Sequence, residues 1–239
     1  MTGAASALPS PALASAPAAE PLALAESAPA PAAGPRRWSV SAWLLARDDR
    51  GGAALAPGGS LGGSQTGGRL LYRVGDGLAL SVRAYAPLRR ARGAEGAAGL
   101  DWRPAARLPV HLLAERRQDL GGEGRSAFAL SLYGGLSRSL PSGLRLEAYG
   151  QAGIVGARSR DLFADGSARL AALVGPAEIG GGAWGGAQPG AARLDAGPSV
   201  SWRLPVHGAN LRLQADWRFR VAGDAAPGSG PALTLAADF

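Results

Sequence analysis

Cysteine is absent from this 239-residue chain, which excludes disulfides and thiolate metal sites. Lysine is absent too: all 25 cationic side chains are Arg, a bias that codon usage in a GC-rich genome accounts for. Phe, Tyr and Trp make up only 6% of the residues. No uninterrupted run of about 18 apolar residues occurs, so no helix is expected to cross a bilayer. A strand-built membrane protein passes that test, because each crossing takes about 9 to 11 residues and only every second one need be apolar. The formal charge of +7 raises the question of nucleic acid. Its Arg residues recur at alternate positions in many separated segments, however, rather than on one face beside aromatic stacking platforms, and nucleic acid is not an expected partner.

Against these absences stand 37 Gly, 18 Pro and an apolar fraction of 46%, too high for a chain disordered throughout. Residues 1–36 form a block of Ala and Pro with a little Ser and Glu. Repeated Pro forbids a continuous helix and little in the block is worth burying, so the expectation is a disordered Ala/Pro-rich linker. No Arg precedes Arg36 and Pro interrupts every apolar stretch, so no export signal is visible there.

From Arg37 the pattern changes to period two. In residues 209–223, ANLRLQADWRFRVAG, one parity holds Leu211, Leu213, Ala215, Trp217, Phe219 and Val221, and the other holds Arg212, Gln214, Asp216, Arg218 and Arg220. A helix would scatter the two sets around its circumference; a strand separates them. The same reading gives twelve strands, at 38–46, 62–74, 77–88, 94–103, 107–117, 124–137, 143–156, 164–174, 178–188, 193–204, 209–222 and 231–239. Most exceed the globular mode of about 5 to 6 residues and approach the length of a tilted membrane crossing. Tight connections such as GDG at 75–77 and GPA at 175–177 alternate with longer ones such as DDRGGAALAPGGS and RSRDLFAD. That alternation is expected of a membrane barrel with short turns on the periplasmic side and longer loops outside. Trp38, Tyr72, Trp102, Trp202 and Phe239 share outward parity at the expected periplasmic ends, and Phe128, Trp217 and Phe219 lie toward the other rim. Two aromatic bands suit the two headgroup regions.

These features resemble bacterial outer-membrane β-barrel proteins. The resemblance implies an all-β, antiparallel barrel over residues 37–239, in contact with outer-membrane lipid. It also implies that Leu233, Leu235 and Phe239 of the terminal PALTLAADF are the signal read by the barrel-assembly machinery. A weaker resemblance is to the C-terminal barrels of exopolysaccharide-secretion proteins, which would account for a preceding linker.

The inward parity carries Arg73, Arg83, Asp101, Arg103, Glu115, Arg117, Arg125, Arg145, Glu147, Gln151, Arg169, Arg193, Asp195, Arg203, Arg212, Gln214, Asp216, Arg218 and Arg220. Arg at a bilayer midplane costs about 2 to 4 kcal/mol, so these groups are expected to line the lumen. They would form either a packed network of Arg and carboxylates or a passive pore or secretion channel favouring an anionic solute or polysaccharide. A non-conducting barrel that anchors a periplasmic part or displays surface loops is the alternative, and a soluble β-sandwich adhesin module is a third. Catalysis is not expected. His111 and His207 close two copies of RLPVH, both toward the periplasmic side, and no Gly-x-Ser-x-Gly elbow, His metal pair or cofactor motif occurs.

Overall fold

A computed structural model describes residues 37–47, 55–56, 61, 63–88, 93–122, 126–206 and 208–239; the Ala/Pro-rich segment 1–36, Arg125 and His207 lie outside them. Alternation of apolar and polar residues organises everything that is described. Twelve strands form: β1 (Trp38–Arg47), β2 (Gln65–Gly75), β3 (Leu78–Pro87), β4 (Glu95–Trp102), β5 (Val110–Asp119), β6 (Ala127–Ser139), β7 (Leu144–Val155), β8 (Asp161–Val174), β9 (Ala177–Gln188), β10 (Ala191–Val206), β11 (Ala209–Gly223) and β12 (Gly230–Asp238). Each pairs antiparallel with its neighbours in sequence, and β12 returns to β1 to close the barrel. The seam runs from Ser41↔Asp238 to Arg47↔Ala232. Phe239 extends it, donating its N–H to Val40 O at 2.9 Å. Closure satisfies every edge, which matters in hydrocarbon, where an unpaired N–H or C=O finds no water.

The two faces divide as the alternation requires. Val82, Leu100, Leu132, Leu162, Leu170, Val221 and Leu233 are exposed on the outside, while Arg83, Asp101, Glu115, Arg169, Asp195 and Gln214 are buried inside. This inverts the arrangement of a water-soluble sandwich, whose inner face is apolar. The chain is therefore a closed antiparallel barrel of the outer-membrane type.

Strand limits differ from the alternation at a few ends. Residues 63–64 and 107–109 are not strand. Pro109, which lacks a ladder donor, falls just before β5. At the other extreme, β8 begins at Asp161, because Leu162 and Phe163 continue the out-and-in alternation through a stretch whose charges read as loop. The short turns rely on glycine at two informative places. Gly77 (φ 71°) and Gly175 (φ 59°) adopt the left-handed conformation that lets β2–β3 and β8–β9 reverse within two residues.

Candidate functional site in the barrel interior

The interior is organised into four charged groups, each assembled from neighbouring strands. On β2 to β6, Asp101 accepts from Arg69 Nη2 at 2.8 Å, pairs with His111 Nδ1 at 2.7 Å, and accepts from the Tyr133 hydroxyl. Tyr133 stacks on His111 with ring centroids 4.9 Å apart, and Arg69 Nε donates to Ser81 Oγ at 3.0 Å. Nearer the end with the longer loops, Arg83 binds Glu115 through Nε and Nη2 at 3.0 and 2.8 Å, and Glu95 at 2.6 Å. Arg117 Nε donates to Glu115 at 2.7 Å, and its guanidinium lies over the Phe163 ring.

The other wall carries two further groups. At the end with the short turns, Glu147 and Glu178 sit among four guanidinium groups. Arg169 Nη1 is 3.2 Å from Glu147 and 3.1 Å from Glu178, Arg212 Nη2 is 2.7 Å from Glu147, and Arg203 Nη2 is 3.1 Å from Glu178. Arg145 stands 3.8 Å from Glu178. Toward the opposite end, Arg193 Nη2 donates to both Asp195 oxygens at 2.6 and 2.8 Å and Arg47 lies 3.6 Å from the same carboxylate. Asp216 accepts from Ser199 at 2.7 Å, from Gln214 at 2.9 and 3.0 Å and from Arg218 at 3.1 Å, and Arg218 lies over the Trp184 ring. Charges removed from water are tolerated when paired and hydrogen-bonded in this way.

Two connections at that end reach inward. Leu55 N donates to Gln188 Oε1 and Leu55 O accepts from Arg117 Nη1, both at 2.7 Å, while Ala56 is buried against Ala127, Ala129, Val155 and Phe163. Between β11 and β12, the carbonyls of Ala225 and Pro227 accept from Arg220, and Pro227 is fully buried.

The residues expected inside divide by place. Arg83, Glu115, Arg117, Glu147, Gln151, Arg169, Arg193, Asp195, Arg212, Gln214, Asp216 and Arg218 are buried on the inner face with Asp101. Arg145, Arg203 and Arg220 are partly exposed. Arg73 is exposed near the end of β2, and Arg103 caps the β4–β5 turn by donating to the Ala106 and Leu108 carbonyls. Leu233, Leu235 and Phe239 are exposed on the outer wall. The alternation alone could also have supplied Arg69, four residues before Arg73 on the same parity, and Glu95 and Glu178 at strand starts. Tyr133, Trp43, Trp184 and Phe163 are buried inside, where bulky aromatics are not signalled by a polar face. Trp43 is opposite Gly67 and Phe163 opposite Gly153, and Trp184 leans over Gly182 two residues back. A Cβ on Gly153 or Gly182 would come within 2.8 or 2.7 Å of the ring atoms, and one on Gly67 would overlap Trp43. Glycine there makes the space the ring occupies.

No family model matches the chain, and no curated protein matches it in sequence. Solved structures that align with it include an outer membrane channel from Pseudomonas putida F1, at 13% identity over 86% of this chain and 96% of that one, with a TM-score of 0.41. A bacterial polysaccharide outer membrane secretin aligns at 7% identity over 84% and 97%, also with a TM-score of 0.41. Wzi, a carbohydrate-binding β-barrel involved in group 1 capsule assembly in Escherichia coli, aligns at 12% identity over 74% and 51%, with a TM-score of 0.35.

Proposed function

We propose that this barrel is a bacterial outer-membrane channel for small anionic solutes, held narrow in the conformation described here. One observation carries the reading. Around Glu147 and Glu178, four Arg face two carboxylates at the end of the lumen with the short turns. The side chains of Arg145 and Arg203 keep 25% and 32% of their exposure there. A ring of surplus cationic charge at the mouth of a low-dielectric passage concentrates anions and excludes cations. A small solute suits the interior better than a polymer, because inward side chains deeper in the barrel are tightly packed, Arg117 and Asp195 keeping 1% and 0% of their exposure.

Planar-bilayer recording tests the reading. Purified barrel should give discrete conductance, with a reversal potential under a salt gradient that reports anion preference. Arg145→Gln with Arg203→Gln should move that potential toward the unselective value. A second reading, a non-conducting barrel that anchors a periplasmic part or displays its loops, is favoured by the same burial of Arg117 and Asp195. A bilayer that stays silent under all applied voltages selects it and overturns the channel.

A further inference from the structure

Outward positions on this barrel are predominantly apolar, and β5 departs from that near its end on the side of the longer loops. Leu112, Ala114 and Arg116 alternate on the lipid side, and Arg116 is exposed. Its register partner on β6 is Phe128. The guanidinium lies over that ring, with Cζ 5.0 Å from the centroid. Among the described residues Arg116 has no carboxylate partner.

A second cation is brought to the same place by backbone geometry. The connection between β7 and β8 ends at Arg160, whose φ of 51° is in the left-handed region, strained for any residue with a Cβ. Arg160 N donates to Gly156 O at 3.0 Å, and Gly156 N donates to Phe128 O at 2.8 Å, which fixes the turn against β6. Strain of this kind persists where the surroundings enforce it and clusters at binding sites. Arg116, Phe128 and Arg160 line one groove of about 540 Å³, with Ala98 and Gly99 among its small lining residues and Leu130 and Ile154 among its large ones. That size falls within the range of about 300 to 1,000 Å³ typical of ligand sites.

We propose that this groove binds a phosphate-bearing lipid of the surrounding leaflet. The guanidinium groups of Arg116 and Arg160 would hold the phosphate, and the apolar wall of Leu130 and Ile154 would seat an acyl chain. Guanidinium is the side chain best matched to phosphate, because its planar fork bonds two oxygens at once. At headgroup depth an outward Arg is tolerated, at about 0 to 1 kcal/mol, and a lipid phosphate there offers its guanidinium the oxygens that the protein does not, without drawing the side chain away. A free phosphate ion would use the cations and leave the apolar groove empty; a lipid uses both. The site is on the outside of the barrel and does not depend on whether the lumen conducts.

The test compares wild-type barrel with R116Q/R160Q in phosphatidylcholine nanodiscs doped with bisphosphorylated lipid A, with retained lipid read by native mass spectrometry. Each Arg beside an anionic lipid surface contributes about a fivefold change in binding, so the double variant should retain lipid A about 30-fold more weakly. Dephosphorylated lipid A on the wild type should fall to the same low level, and inorganic phosphate should show no saturable binding by isothermal titration. Equal retention by wild type and variant, or equal retention of the phosphorylated and dephosphorylated lipids, would overturn the site; saturable binding of inorganic phosphate would overturn the lipid as its occupant. Heat-modifiable migration on a denaturing gel establishes that the variant is folded. Its bilayer conductance should match the wild type, so a failure here is distinguishable from a failure of the channel reading.

Discussion

The Arg83 and Glu147 groups are built from the same side chains on opposite walls of one barrel, yet they are balanced differently. Arg83 and Arg117 meet Glu95 and Glu115, two cations for two carboxylates, and Arg83, Arg117 and Glu115 are all buried. Around Glu147 and Glu178 stand Arg145, Arg169, Arg203 and Arg212, and two of these four keep contact with solvent. A neutral, buried set holds strands in register, and any loss leaves a charge stranded. A set with surplus charge and exposure has cations to offer a visitor. Composition is the same in both; stoichiometry and access separate a structural network from a candidate binding one.

Substitutions can break that comparison, beginning with the largest effect. Arg83→Gln leaves Glu95 and Glu115 with Arg117 alone, and removing one partner of a buried pair typically costs about 3 to 5 kcal/mol; urea titration of the detergent-solubilised barrel should report a loss of that size. Tyr133→Phe removes a single hydrogen bond to the Asp101 carboxylate and should cost about 1.5 to 3 kcal/mol in the same assay. Arg145→Gln takes away a surplus, partly exposed cation, so stability should change by less than about 1 kcal/mol while anion preference in the bilayer falls. Should Arg145→Gln destabilise as much as Arg83→Gln, the two walls would be one network, and the contrast between them would be lost.

Much of this was legible in the residues because a membrane barrel writes both of its environments into each strand. All twelve strands overlap the stretches the two-residue period marks, their ends shifted by up to about three residues, and the closing pair β1–β12 follows from an alternation that reaches Phe239. Less legible were the partnerships. Glu147 and Arg212 are 65 positions apart and meet only because the curved wall from β7 to β11 brings their side chains together inside the barrel, which depends on curvature and register rather than on any local pattern. The inward reach of Leu55 was hidden for a related reason: its anchors are Gln188 on β9 and Arg117 on β5, and nothing near it in sequence indicates either. The inward aromatics Trp43, Tyr133, Phe163 and Trp184 carry no such signal, because they share a face with polar residues and the glycines that accommodate Trp43, Phe163 and Trp184 look like ordinary glycines in a glycine-rich chain.

Those glycines also bear on how the protein can change over generations. Any glycine codon becomes an alanine codon by one base substitution, and alanine is abundant throughout this chain. At most surface positions the exchange passes unnoticed. At Gly67, Gly153 and Gly182 one added methyl group would displace Trp43, Phe163 or Trp184 into a bore already filled by guanidinium groups. A deep mutational scan of the barrel should find alanine disfavoured at these three places.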